Sequence, residues 1–186
     1  MYQTQLFKEG HVLFLLGSLM RGLDEKHLVA ACERMNLVYF ALSGLHILKV
    51  LPLVPQSMRD AMAVSILSFY RREKETKGEA EGEGETESTP TCGFSVFNDI
   101  ESDTVNVVST QSALLSLILL DPSAAVVQSI NPAMAGIDCE SGVVTMLGGE
   151  TLARTILKCQ VTDPSDPMYG AFKSTPLADS PADIRY

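Results

Sequence analysis

Residues 33–48 read Glu33-Arg34-Met35-Asn36-Leu37-Val38-Tyr39-Phe40-Ala41-Leu42-Ser43-Gly44-Leu45-His46-Ile47-Leu48. On a helical repeat, Leu37, Phe40, Ala41, Gly44, Leu45 and Leu48 form one stripe, and Val38, Tyr39, Leu42 and Ile47 fill the opposite side. A helix that is apolar all round, yet too short to cross a membrane, has to be covered by protein on both faces. The spacing predicts such a helix from about Leu28 to Val50, and it decides the fold, because the neighbouring segments must supply the cover.

On the N-terminal side, Phe7, His11, Phe14, Leu15, Ser18 and Leu19 share one stripe of a helix over Leu6–Met20. On the C-terminal side, Pro52 and Pro55 interrupt the chain, and Pro55 suits the start of a third helix from Gln56 to about Tyr70. Met58, Ala61, Met62, Ser65, Ile66 and Phe69 are its expected buried face. Further helices are predicted over Thr104–Leu120, over a short stretch after Asp121-Pro122 read as an N-cap plus first-turn proline, and over Thr151–Gln160. The order "apolar helix, amphipathic helix, Gly-aromatic turn" occurs twice, with turns at Cys92-Gly93-Phe94 and Tyr169-Gly170-Ala171-Phe172, at a period of roughly 75 residues. Val143-Val144-Thr145-Met146 is the one strand signal. The reading is therefore all-α: stacked helical hairpins, each burying a face of its neighbour.

Between the two halves lies a segment of different character. Residues 73–91 are rich in Glu, Gly and Thr, and Glu73–Glu87 alone hold seven Glu against two Lys. Ordering such residues costs about 1–2 kcal/mol each, with almost nothing apolar to bury in return. An acidic disordered insertion is expected there, dividing the chain into 1–72, 73–91 and 92–186.

Composition excludes several function classes. With 14 basic and 23 acidic residues the 186-residue chain carries −9, and its pI is about 4.7. That balance opposes binding to a nucleic-acid polyanion. Cys32, Cys92, Cys139 and Cys159 are spaced by 60, 47 and 20 residues, so no zinc knuckle or disulfide framework emerges; reduced thiols of a cytoplasmic protein are expected. No stretch is long enough for a transmembrane helix. No G-x-S-x-G elbow, Walker A loop or H-E-x-x-H occurs, and His11, His27 and His46 lack partners at metal-ligand spacing. Gly148-Gly149 before a helix is a weak anion-site signal. By residue chemistry alone the chain holds no complete active site.

The run from His11-Val12 and Phe14 through Glu33–Leu48 nevertheless resembles the N-terminal region of the β subunits of protein prenyltransferases. The likeness is strongest to protein geranylgeranyltransferase type I, with farnesyltransferase β the nearest competitor. Cys92-Gly93-Phe94 looks like that family's first Gly-Phe turn. Lys158-Cys159-Gln160, Tyr169-Gly170-Ala171-Phe172 and Asp183-Ile184-Arg185-Tyr186 look like its "helix, Gly-Phe turn, acidic-x-Arg-aromatic" element. The resemblance implies a partial α/α toroid, in which inner helices ring a cavity and outer helices wrap them. It implies transfer of geranylgeranyl from geranylgeranyl diphosphate to the cysteine of a C-terminal CaaX sequence, by a heterodimer with a prenyltransferase α subunit. Zinc in that family lowers the thiol pKa so that a thiolate attacks the isoprenoid. Carried over residue by residue, Asn36 falls at a position lining the pocket for the peptide's last residue, where the compared relative has Thr. Phe40 is the aromatic one turn on, Arg185 helps hold the peptide's C-terminal end, and Tyr186 is the following aromatic. The family's zinc ligands come from repeats with no counterpart in these 186 residues, so the expectation is a fragment inactive by itself. A non-catalytic helical-repeat interaction module is the alternative. A terpene cyclase of similar architecture would need an Asp-rich motif that is missing.

Overall fold

The computed structural model describes residues 8–23, 34–72, 91–95, 105–123, 125–126, 129, 147, 149–176 and 182–183. Five α-helices lie among them: α1 (Lys8–Leu23), α2 (Arg34–Ile47), α3 (Gln56–Leu67), α4 (Val107–Leu120) and α5 (Gly149–Lys158). Four short strands accompany them, β1 (Tyr70–Arg72), β2 (Cys92–Phe94), β3 (Phe172–Lys173) and β4 (Ala182–Asp183). The acidic segment 73–90, the strand signal at Val143–Met146, and Cys32, Cys139 and His27 lie outside the described residues.

The all-apolar helix is the hub, with α1 on one side of α2 and α4 on the other. Met35, Val38, Ala41, Leu42 and Leu45 are buried between them and share one core with Leu19, Ile66, Phe69, Phe94 and Leu117. Each fully buried leucine contributes about 1.5–3 kcal/mol of transfer free energy. The expectation of burial on every side needs correction, since Phe40 and Ile47 are 66% and 76% exposed. Two neighbouring helices cover only two sides of a cylinder. Arg34, at the head of α2, is itself buried, and its guanidinium lies 5.3 Å from the centroid of the Phe69 ring, tying α2 to the end of α3.

α3 packs on α4, and its buried face is Met62, Ala63, Ile66 and Leu67, leaving Met58 53% exposed. Of the predicted face Met62, Ile66 and Phe69 are buried, Phe69 from beyond the helix end at Leu67, while Met58 and Ala61 are exposed and Ala63 and Leu67 are buried in their place. A polar clasp fixes that rotation. Arg59 Nη1 donates to Leu120 O at 3.1 Å, Gln56 Nε2 to Asp121 O at 3.0 Å, and Ser123 N to Asp60 Oδ1 at 2.9 Å. These bonds join the first turn of α3 to the end of α4. There Asp121 is the C-cap, in the left-handed region at φ 47° with its N–H on Leu117 O, and not the N-cap of a following helix.

The hydrogen bond from Ser123 N, and then that from Gln56, hold the Asp60 carboxyl below the ordinary aspartate value of 3.8. A carboxyl whose folded-state pKa is depressed stabilises the fold above its unfolded pKa and loses that contribution as pH falls through the folded value. The difference in thermal midpoint between wild type and Asp60→Asn is therefore expected to be present at neutral pH and to shrink below pH 3.8. A pH-independent difference would contradict this.

The two Gly-aromatic elements differ. Cys92-Gly93-Phe94 is an extended strand, not a turn, and pairs antiparallel with β1 in the register Tyr70↔Phe94, Arg71↔Gly93, Arg72↔Cys92. On its inner edge Ser95 N donates to Phe69 O at 2.9 Å. Its outer edge meets helices: Phe94 N donates to Thr110 Oγ1 at 2.9 Å on α4, and Cys92 N to Thr155 Oγ1 at 3.0 Å on α5. Gly170, at φ +86°, does form a turn, after which β3 pairs with β4 in the register Phe172↔Asp183 and Lys173↔Ala182.

Candidate functional site

Asn36 and Phe40 stand one turn apart on α2, and Gly44 and Ile47 continue the line. Steps of four and three residues keep this stripe on one side of the helix, along roughly 17 Å of its axis. At its α4 end, half-buried Asn36 accepts through Oδ1 a hydrogen bond from the hydroxyl of buried Ser112. In the middle Phe40 stands in the open, its ring centroid 5.6 Å from that of Tyr39 at a tilt of 41°. At the α1 end His11, Phe14, Leu15, Gly44, Ile47 and Leu48 line an apolar cleft of about 460 Å³.

The structure thus places two of the four predicted site residues, Asn36 and Phe40, on one continuous helix face. Arg185 and Tyr186 lie outside the described residues; Asp183, just before them, pairs with Phe172. His11 and Phe14, which sequence reasoning did not assign to a site, also line the cleft. Their shared α1 stripe was the available signal. At α5, Glu150 occupies the first turn and pairs with Arg154 at 2.6 Å, which puts a negative charge where an anion would have to sit.

Thiol and metal chemistry are similarly constrained. Cys92 and Cys159 are both buried. Burial pushes the Cys159 thiol up, against the opposing charge of Lys173, and its Sγ–H points to Thr155 O at 3.4 Å, so it behaves as a core residue rather than a nucleophile. Among the described residues no three His, Cys, Asp or Glu side chains converge on a point. These residues do not fit zinc, and no chemical step is assigned to the metal. No helix among them is long and apolar enough to cross a membrane.

Helices packed around the largely apolar α2, with Phe40 exposed on it, fit the toroid architecture implied by the resemblance. The family model for the prenyltransferase alpha-alpha toroid domain matches residues 6–183, and the chain belongs to that family. No curated protein and no solved structure matches it.

Proposed function

We propose that this chain forms all or part of the β subunit of a protein prenyltransferase of the geranylgeranyltransferase type I class, working in the cytoplasm as a heterodimer with an α subunit. In the reaction a C–S bond forms between the CaaX cysteine and C1 of the isoprenoid as the C1–O bond to diphosphate breaks. The observation that carries this reading is the sequence Glu33–Leu48, which contains α2. It resembles geranylgeranyltransferase type I most closely, within a chain that belongs to the toroid family over residues 6–183. In this reading Asn36 and Phe40 meet the end of the peptide, and Arg185 and Tyr186 complete that contact.

The test is to co-express the β subunit carrying this sequence with a CaaX prenyltransferase α subunit. The expected result is a stable complex that modifies a CaaX peptide faster with geranylgeranyl diphosphate than with farnesyl diphosphate. Faster farnesyl transfer would replace the assignment by farnesyltransferase. A stable α complex with no transfer at all would favour the non-catalytic interaction module.

A further inference from the structure

The apolar cleft between α1 and α2 has a floor and a rim of different character. Leu15, Gly44 and Leu48 are half-buried and form its floor, while His11, Phe14 and Ile47 stand exposed around it. Gly44 makes the floor possible: a methyl group there would lie 2.7 Å from Leu15 Cδ1, so the missing side chain is what lets Leu15 settle on α2. Above the floor, Phe14 and Ile47 are large apolar walls left open to solvent. At about 460 Å³ the cleft falls within the usual size of a small-molecule site, roughly 300–1,000 Å³.

Its charge is one-sided. His11 is the one titratable residue lining the cleft, and Lys8 precedes it by three residues, on the same side of α1. Neither makes a hydrogen bond or an ion pair among the described residues. Glu9 is two residues from His11 and so belongs to another side of the helix, and the α2 side of the cleft brings only Gly44, Ile47 and Leu48. We propose that this cleft binds a single-chain carboxylate amphiphile, with its methylenes over Leu15 and Gly44 between Phe14 and Ile47 and its carboxylate at His11 and Lys8. Such a ligand is independent of the prenyltransferase reading, whose peptide contacts on α2 are Asn36 and Phe40. An anion is the less obvious guest for a chain carrying −9, and that makes the preference diagnostic. An unselective apolar surface on this protein would favour a cationic amphiphile, whereas Lys8 and His11 favour the carboxylate at close range.

The test titrates the full chain with octanoate, octanol and octyltrimethylammonium, all as monomers, and follows the methyl NMR signals of Leu15, Ile47 and Leu48. Octanoate is expected to shift these signals and to bind about threefold to tenfold more tightly than octanol, with the cation weakest. Replacing both basic side chains, Lys8→Gln with His11→Gln, should bring octanoate down to the affinity of octanol and leave octanol unchanged. Ile47→Ser should weaken both by a similar factor, and because Ile47 is 76% exposed the substitution leaves the core intact. Equal affinity for octanoate and octanol, tightest binding of the cation, or a carboxylate preference that survives the double substitution overturns the proposal. So does octanoate that geranylgeranyl diphosphate displaces while those methyl signals stay unmoved, since it then occupies a different cavity. Binding only to vesicles of anionic phospholipid, with none to monomeric octanoate, would replace the small-molecule site by a membrane contact and also overturn it.

Discussion

Gly93→Ala is expected to destabilise the protein by roughly 3–5 kcal/mol, a large share of the 5–15 kcal/mol that holds a typical domain together. A methyl group at this position would lie 2.5 Å from Val105 Cγ1 and 2.7 Å from Thr110 Oγ1. Neither atom can give way cheaply. Val105 is buried and bridges to Ser95, and the Thr110 hydroxyl is fixed between Asn106 O, to which it donates, and Phe94 N, from which it accepts. Relief requires moving β2 away from α4, which breaks those bonds in a water-free place. The thermal midpoint should fall by roughly 10 °C, and a fall of under about 2 °C would refute the account. Gly170→Ala is the comparison: at φ +86° but with nothing within 4 Å of the added methyl, it meets backbone strain alone, about 1–2 kcal/mol.

Thr110→Val and Thr155→Val have the second largest expected effects. Valine has nearly the shape of threonine, so packing is kept while each change deletes the acceptor used by one strand amide, Phe94 N–H for Thr110 and Cys92 N–H for Thr155. Both threonines are 1% exposed, so water cannot replace the lost partner, and each substitution should cost about 1–3 kcal/mol. Serine at either position keeps the hydroxyl and should cost less than valine. Hydrogen exchange gives the direct check, with the Phe94 amide accelerated in Thr110→Val and the Cys92 amide in Thr155→Val. Unchanged exchange at both amides would mean the hydroxyls are not their effective partners.

What the sequence disclosed depended on how local each signal was. The hub helix was legible because nine of its fourteen residues are apolar, six of them in the unbroken run Leu37–Leu42, and its family likeness sits on those same residues. Asn36 was reachable as a position by that likeness, but its partner Ser112 is 76 residues away and nothing local announces it. The β1–β2 pair was missed for a similar reason. Three residues are too few for an alternation pattern, and the partner strand lies beyond the whole acidic segment. Asp121-Pro122 misled because the pair has two consistent meanings: aspartate suits an N-cap, and it also tolerates the left-handed C-cap, after which a proline prevents the helix from continuing. On α3 the predicted Met62, Ile66 and Phe69 are buried, but Met58 and Ala61 in its first half are exposed, because α4 covers the side carrying Ala63 and Leu67 instead.

The threonine hydroxyls on the outer edge of β2 also bear on how this protein meets other copies of itself. An open strand edge invites a stranger's backbone to zip onto it, but here the inviting amides are already answered by side chains from two helices. Clumping of this chain, when it happens, should therefore run through the greasy side chains left uncovered on α1 and α2, such as Leu13, Phe14 and Ile47, and give amorphous, dye-binding particles rather than fibrils.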